Sequence, residues 1–190
     1  MKKILIINGN PKPKSFCKSI AEHYAKLAKE KHDVRLIHIG DMNFGINLEQ
    51  GYESQASLEV DVINFQTDIK WAEHIVIISP VWWGTMPAKF KGLIDRAFLP
   101  GFAFKYTKGK TIPQKLLTGR SSELFLTLDT PVFWYKYVQG NPIYKTLKYT
   151  ILDFVGIKNQ ATLYFGPIIN SQEVTRQRWL DKVSERVSKL

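Results

Sequence analysis

Two uninterrupted aliphatic runs constrain this fold more than any other feature of the sequence. Residues 3–7 and residues 74–78 consist almost entirely of isoleucine, leucine and valine. Runs so short and so apolar predict strands that are buried on both faces, as the central strands of a parallel sheet are. Elsewhere apolar residues recur at helical spacing, as Phe16, Ile20 and Tyr24 do, which predicts amphipathic helices. The chain is therefore expected to alternate strands with helices.

Five strand–helix units follow one another without a linker, a repeat or a low-complexity tract. The predicted strands are residues 3–7, 34–39, 74–78, 123–128 and 159–165. The predicted helices are residues 16–31, 60–71, 87–98, 141–154 and a last helix. In residues 60–71 the apolar positions Val60, Ile63, Phe65, Ile69 and Trp71 are only roughly in phase. Ser171 is expected to cap the last helix, which carries Val174, Val183, Val187 and Leu190 on one stripe. Residues 40–57 are expected to be irregular, and residues 99–120 to lie outside the sheet.

This alternation predicts an α/β fold, because right-handed βαβ crossovers place helices on both faces of a twisted parallel sheet. Five units in 190 residues suit a single domain, residues 1–190. We expect a flavodoxin-like, doubly wound, five-stranded parallel sheet of order 2-1-3-4-5. The loops after strands one, three and four then meet at the carboxyl edge of the sheet, where such folds bind ligands.

Composition and charge exclude several classes of function. The formal net charge is +10, but the basic residues are spread out, so we expect a partner that carries phosphate rather than a nucleic acid. One cysteine excludes an internal disulfide, and the four histidines lack metal-ligand spacing, so no metal is expected. No run approaches the roughly 18 apolar residues of a membrane span. The sequence predicts a soluble, cytoplasmic protein without membrane insertion.

The first unusual loop, residues 8–17, reads Asn-Gly-Asn-Pro-Lys-Pro-Lys-Ser-Phe-Cys and leads into the first helix. A helix N-terminus offers free N–H groups and a favourable dipole to phosphate. Ser15 adds a hydroxyl, and Lys12 and Lys14 add positive charge. The glycine pattern excludes a Walker P-loop and a dinucleotide fingerprint. The alternative is that Ser15 only caps the helix.

The second loop, residues 80–86, places two tryptophans between a buried strand and a helix. Aromatic side chains at this edge can form the wall against a flat ring, while the alternative is packing into the core or a subunit interface. Because Trp82 and Trp83 are adjacent, they are expected to point in different directions.

The third loop, residues 127–135, brings hydroxyl groups to the same edge. Thr127 and Thr130 supply two of them, and Tyr135 supplies a phenol that can donate to a carbonyl as that carbonyl accepts charge. The alternative is a capped turn followed by a buried aromatic patch.

These three loops together resemble the flavodoxin-like NAD(P)H:quinone oxidoreductases, the family of DT-diaphorase and its shorter bacterial relatives. That family's aromatic loop has the approximate pattern Phe-Pro-x-x-Trp-Phe-x-x-Pro-Ala-x-x-Lys-Gly-x-x-Glu/Asp-Arg-x-Phe. The matching residues at the same spacing are Pro80, Trp83, Pro87, Ala88, Lys91, Gly92, Asp95, Arg96 and Phe98. The resemblance extends from Ile4 to the final helix.

The resemblance implies a flavin, FMN by chain length with FAD possible, and NADH or NADPH as co-substrate. The implied cofactor-binding residues are Asn10, Ser15, Phe16, Cys17, Pro80, Val81, Trp82, Trp83, Gly84, Thr127, Leu128, Asp129 and Thr130. Ala103, Phe104 and Lys105 match a segment that lines the substrate cavity from the partner subunit of a homodimer. Cys17 stands where the family has Asn, and residues 127–130 replace its Thr-Thr-Gly-Gly.

The implied activity is a two-step transfer of a hydride from NAD(P)H to a quinone or a similar flat aromatic acceptor. The family's Tyr falls on Tyr135, and its His falls on Asn141, so these two are the predicted catalytic residues. Two alternatives remain open: a flavodoxin-type electron carrier, which would need a separate reductase, and a regulatory flavoprotein subunit of a bacterial potassium-efflux system. Cys17 as a nucleophile is a weak alternative, because the sequence positions no histidine to activate it.

Overall fold

The computed structural model describes residues 1–49, 51–52, 57–109 and 111–190. Its main sheet has five parallel strands in the spatial order β2-β1-β3-β6-β7. The strands are β1 (Lys3–Asn8), β2 (Asp33–His38), β3 (His74–Pro80), β6 (Ser121–Thr127) and β7 (Lys158–Phe165), and a two-stranded hairpin is formed by β4 (Phe104–Lys105) and β5 (Gln114–Lys115). Counting only the five long strands, this order is 2-1-3-4-5, so the predicted fold class is confirmed.

Helices cover both faces of the sheet because alternate side chains of each central strand point to opposite faces. The helices are α1 (Phe16–Ala28), α2 (Val60–Trp71), α3 (Ala88–Ala97), α4 (Val132–Tyr137), α5 (Pro142–Lys145), α6 (Asp153–Val155) and α7 (Glu173–Val187). Leu5 and Ile7 pack with α2 and α3 in one cluster, while Ile4 and Ile6 pack with α1 and α7 in another. All four residues are buried, as the aliphatic run predicts.

Two predicted helix faces are right only in part: Phe65 and Ile69 of α2 and Val183 of α7 are buried as predicted, and other predicted positions are exposed. In α2 the buried residues are Val62, Phe65 and Ile69, whereas Val60 and Ile63 are exposed; the mixed apolar pattern left the phase of this helix undetermined. The end of the chain differs in the same way. Val174 is exposed, and the N-cap of α7 is Gln172. The Ser171 hydroxyl instead accepts a hydrogen bond from Nε of Arg176 at 2.8 Å.

Several short elements depart from the predicted loops. The third loop contains α4, and residues 142–155 form one helical segment whose middle, Thr146–Leu152, is a π-helix. The hairpin β4–β5 lies within the predicted excursion, residues 99–120, of which residue 110 lies outside the described residues. The predicted irregular connection, residues 40–57, begins within a 3₁₀ turn (Ile39–Asp41), and its residues 50 and 53–56 also lie outside the description. Within the described ranges, no helix is long and apolar enough to cross a bilayer.

His74, at the start of β3, is a buried base that makes stability depend on pH. Its ring is 1% exposed, and Nδ1 lies 2.7 Å from Oγ of Ser121. Burial, with smaller contributions from the positive charges of Lys2 and Arg186, lowers the pKa of His74 to about 4. The unfolded chain therefore binds this proton more readily than the folded chain does below the ordinary pKa of ~6.5.

We expect the free energy of unfolding to fall as the pH drops from ~6.5 toward ~4, by about 3 kcal/mol from this group. Urea denaturation at pH 7.0 and 4.5 measures the loss. In a His74→Gln variant the loss should be smaller, because no proton binds at that position. An equal loss in both proteins would assign the pH dependence to other groups.

Candidate ligand-binding site

The first loop holds the start of α1 in a fixed position at the carboxyl edge of the sheet. Oγ of Ser15 accepts a hydrogen bond from the N–H of Lys18 at 3.2 Å, which confirms Ser15 as the N-cap. The N–H of Gly9 donates to the carbonyl of Ile78 at 2.7 Å. A Cβ at Gly9 would lie 2.7 Å from the ring of Phe90, so only glycine fits there.

The start of α1 keeps donors available for a ligand. Phe16 and Cys17 stand in the first turn of α1, where the helix itself supplies no acceptor for their N–H groups. Lys12 is exposed beside them. The loop thus presents backbone donors, a hydroxyl and a positive charge to one place, which is the donor set that a phosphate needs.

A cavity of about 140 Å³, here called the inner cavity, opens in front of this helix start. The first loop lines it with Asn10, Lys12, Ser15, Phe16 and Cys17. The second loop contributes Pro80, Val81 and Trp82, and the third contributes Thr127, Leu128 and Asp129. The three loops therefore meet as predicted.

A second cavity of about 450 Å³, the outer cavity, adjoins the first and shares Val81, Leu128 and Asp129 with it. Its remaining lining is Trp83, Gly84, Thr130, Tyr135, Gln139 and Pro142. This volume lies within the roughly 300–1,000 Å³ typical of small-molecule sites. Together the two cavities bring all thirteen predicted cofactor-binding residues to one cleft.

Cys17 joins the first loop to the third and is not an available nucleophile. Its Sγ lies 3.1 Å from Oγ1 of Thr127. Burial raises the pKa of Cys17 to about 11, so the thiol is neutral near pH 7. Thiolate, rather than thiol, attacks electrophiles, and the alternative role for Cys17 is thereby removed.

The second loop ends in a strained two-residue turn. Trp82 and Thr85 each donate their N–H to the other's carbonyl, at 2.8 and 3.0 Å. Between them Trp83 has φ of +50° and Gly84 has φ of +81°, the positive pair that defines a type I′ turn. This conformation is unfavourable for a residue with a Cβ.

Neither tryptophan packs into the core of this chain. Trp82 is 39% exposed and Trp83 is fully exposed, at 103% of its reference area. Trp82 lines the inner cavity and Trp83 the outer one, so the prediction that they point in different directions is confirmed. Packing within the core, one of the alternatives, is wrong.

The structure corrects the predicted role of Tyr135. Its hydroxyl donates to the carbonyl of Gly84 at 2.8 Å and accepts from the N–H of Ile143 at 3.0 Å. A phenol carries a single proton, so none remains for a ligand carbonyl. Burial raises the pKa of Tyr135, which keeps this proton in place. Tyr135 lies on helix α4, whereas the sequence predicted that it lies in a loop.

Asn141 is also turned toward the protein. Its Nδ2 donates to the hydroxyl of Tyr164 at 2.7 Å, and its backbone has φ of +55°, just before Pro142 at the start of α5. Asn141 therefore shapes the entry to this helix, and its predicted direct contact with reacting groups remains a prediction.

The predicted substrate segment lies apart from both cavities. Ala103 and Phe104 are buried in the core of this chain, and Phe104 packs edge-on against Phe154 with ring centroids 5.2 Å apart. Their side chains are buried within this chain, and the predicted role of this segment toward a partner's cavity remains a prediction. Lys105 is exposed, and its role toward a partner's cavity stays a prediction.

Three lining residues were missed by the sequence reasoning, namely Gln139 and Pro142 in the outer cavity and Ile168 in the inner cavity. Ile168, in the loop after β7, lines the inner cavity, and the N–H of the next residue, Ile169, donates to Oδ1 of Asp129 at 2.8 Å. The sequence could have indicated Ile168, because residues 166–170 follow the fifth predicted strand and therefore lie at the carboxyl edge of the sheet. A groove between α1 and α7, with Lys14 and Arg176 on its walls, adjoins the inner cavity.

Comparisons with known proteins agree with this architecture. The Flavodoxin_2 family model, described as a flavodoxin-like fold, matches residues 2–187. The ribosyldihydronicotinamide dehydrogenase [quinone] of Mus musculus is 27% identical over 90% of this chain and 85% of its own length. The FMN-dependent NADH:quinone oxidoreductase of Caldicellulosiruptor bescii is 26% identical over 100% of this chain and 92% of its own length.

A solved structure is similar over nearly the whole chain. The Smu.1420 protein of Streptococcus mutans superposes with a TM-score of 0.81 at 28% identity, covering 98% of this chain and 99% of its own.

Proposed function

Because this chain belongs to the Flavodoxin_2 family, we propose that it is a flavin-dependent oxidoreductase that transfers a hydride from NADH or NADPH to quinones or similar flat aromatic acceptors in two steps. The observation that carries the proposal is the pair of joined cavities, one with phosphate-type donors and one lined by the exposed ring of Trp83. Relatives named as quinone oxidoreductases support the substrate class.

The residues present fit FMN. The N–H groups of Phe16 and Cys17, with Ser15 and Lys12, would hold the phosphate, because a helix start favours an anion. The outer cavity, walled by Trp83 and floored by Leu128, would hold the ring. When bound, the flavin supplies the redox chemistry that amino-acid side chains do not. The chain's own part would be to fix the phosphate, to place Trp82 and Trp83 at the rim of the cleft, and to leave one face of the cleft open for a flat substrate.

FAD is a second candidate, supported by the groove between α1 and α7. This groove has a volume of about 680 Å³ and shares Ser15 and Phe16 with the inner cavity. Arg176 on its wall is fixed by hydrogen bonds to Ser171 and Ile168. Mass spectrometry of the cofactor released from the purified protein distinguishes FMN from FAD.

We further propose a cytoplasmic homodimer. Helix α4 exposes Phe133, Trp134 and Tyr137, followed by Val138. The hydroxyl of Tyr135 on the same helix binds the carbonyl of Gly84, the neighbour of the fully exposed Trp83. Adjacent exposed aromatics of this kind are enriched in protein interfaces, and a second copy would complete the open side of the outer cavity. A free, buried thiol at Cys17 suits a reducing compartment.

The purified protein is expected to be yellow, or to become yellow with added FMN, and to oxidise NADH or NADPH directly when menadione is present. Direct oxidation also separates this function from that of a flavodoxin-type carrier, which requires a reductase. Absorbance at 340 nm follows the reaction. A protein that binds no flavin and leaves NAD(P)H unchanged would refute the proposal.

A further inference from the structure

Tyr135 is buried, yet its hydroxyl serves two segments that border the outer cavity. The residue is 1% exposed. Its hydroxyl donates to the carbonyl of Gly84 and accepts from the N–H of Ile143. Gly84 belongs to the Trp82–Thr85 turn, and Ile143 follows Pro142 in the first turn of α5. Gly84 and Pro142 both line the outer cavity, so one hydroxyl ties two of its walls together.

The turn depends on an external tie because little else holds its strained backbone. Trp83 has φ of +50°, which an L-residue other than Asn, Asp or Gly rarely adopts. Its ring is fully exposed, so burial of that side chain does not compensate for the strain. The bonds between Trp82 and Thr85 close the turn, and the Tyr135 hydroxyl connects it to the rest of the domain.

What the turn presents to the cavity is a pair of backbone donors. Within the part of the chain that the structure describes, the N–H groups of Trp83 and Gly84 meet no acceptor. Both residues line the outer cavity. Donors held fixed before a ligand binds stabilise negative charge better than donors that must first be ordered.

We propose that Tyr135 is a positioning residue whose hydroxyl clamps the strained Trp82–Thr85 turn to helix α5, so that the N–H groups of Trp83 and Gly84 remain available to a ring in the outer cavity. This role replaces direct donation to the ligand, which the engaged proton prevents. The ligand part of the proposal rests on the proposed flavin function, whereas the clamp itself is a property of the protein alone.

The clamp is tested in the flavin-free protein with Tyr135→Phe, which keeps the ring and removes only the hydroxyl. The matched control is Tyr164→Phe, whose half-buried hydroxyl accepts from Asn141 and does not touch the turn. We expect amide hydrogen exchange at Trp82 and Thr85 to be about tenfold faster in Tyr135→Phe, since a bond worth ~1.4 kcal/mol is lost, and unchanged in Tyr164→Phe. Equal exchange in the two variants would overturn the proposal.

Flavin binding provides the second readout. Titration of the flavin-free protein with FMN should give an affinity about tenfold weaker for Tyr135→Phe, while the pH profile of turnover keeps its shape. An unchanged affinity together with an altered pH profile would mean that the hydroxyl acts on the reacting groups, and would overturn the positioning role. Failure of the unmodified protein to bind flavin would refute the proposed function, while the exchange experiment still decides the clamp.

A rescue experiment excludes a general loss of stability. Glycine adopts positive φ without strain, so Trp83→Gly added to Tyr135→Phe should return the exchange of Trp82 and Thr85 toward that of the unmodified protein. If the double variant exchanges as fast as Tyr135→Phe, strain in the turn is not what the hydroxyl opposes, and the proposal fails.

Discussion

A Ser15→Asp variant is expected to lose FMN binding by about 100-fold while the protein remains folded. Ser, Asn and Asp are comparable N-caps, and a carboxylate at the start of α1 interacts favourably with the helix dipole. The same carboxylate would repel a phosphate, since two like charges ~4 Å apart near a protein surface repel by about 4 kcal/mol. We expect somewhat more than half of that repulsion to act, because the inner cavity is open to solvent.

The matched control is Ser15→Asn, which caps the helix without charge. Quenching of flavin fluorescence measures the affinity, and urea denaturation verifies that the unfolding free energies of the two variants agree within ~1 kcal/mol. The difference in affinity should shrink as salt is added, because the interaction is electrostatic. Equal FMN affinity in the two variants would place the phosphate elsewhere.

An Arg186→Met variant is expected to lose about 3–5 kcal/mol of stability. Glu123 lies within β6 with 0% exposure, and its carboxylate pairs with Arg186 of α7 and accepts a 3.4 Å hydrogen bond from the hydroxyl of Tyr24 on α1. Removing the guanidinium leaves a buried charge without its cation, and that state costs more than the pair itself contributes.

Urea denaturation at pH 7 measures the loss, and Arg178→Met provides the control, because Arg178 is exposed on the same helix and should change stability by less than ~0.5 kcal/mol. Replacing both partners, with Glu123→Leu and Arg186→Met together, should recover most of the stability. If Arg186→Met costs no more than Arg178→Met, the buried pair does not hold α7 against the sheet.

The sequence predicts the sheet well because its evidence is local. In an aliphatic run such as residues 3–7, the side chains on both faces of the strand leave water only if both faces are buried. Ser15 caps its helix through a hydrogen bond from the N–H of Lys18, three residues away. Residues far apart in the chain then meet at one edge because of topology alone. The thirteen residues of the predicted cofactor site reach one cleft for that reason.

The features that could not be predicted from the sequence depend on contacts between side chains that are distant in the chain. Tyr135 stands at the position expected for a catalytic phenol, but only its distances to Gly84 and Ile143 show that its proton is already used. Phe104 belongs to the segment expected to line a partner's substrate cavity, yet its ring packs against Phe154, fifty residues later in the chain. Which face of α2 is buried likewise depends on the side on which the sheet lies. The pattern of apolar residues in α2 does not determine that face.

The cleft is assembled from the segments that follow β1, β3, β6 and β7, which are adjacent in space and far apart along the chain. The residues that line it run from position 10 to position 168, so a nascent or partly unfolded chain that lacks any one of these segments has no complete cleft in which a ligand can bind. Loading must follow completion of the sheet, and a ligand bound there opposes unfolding of the whole domain. Cofactor content would then report how much of a preparation has reached the native state.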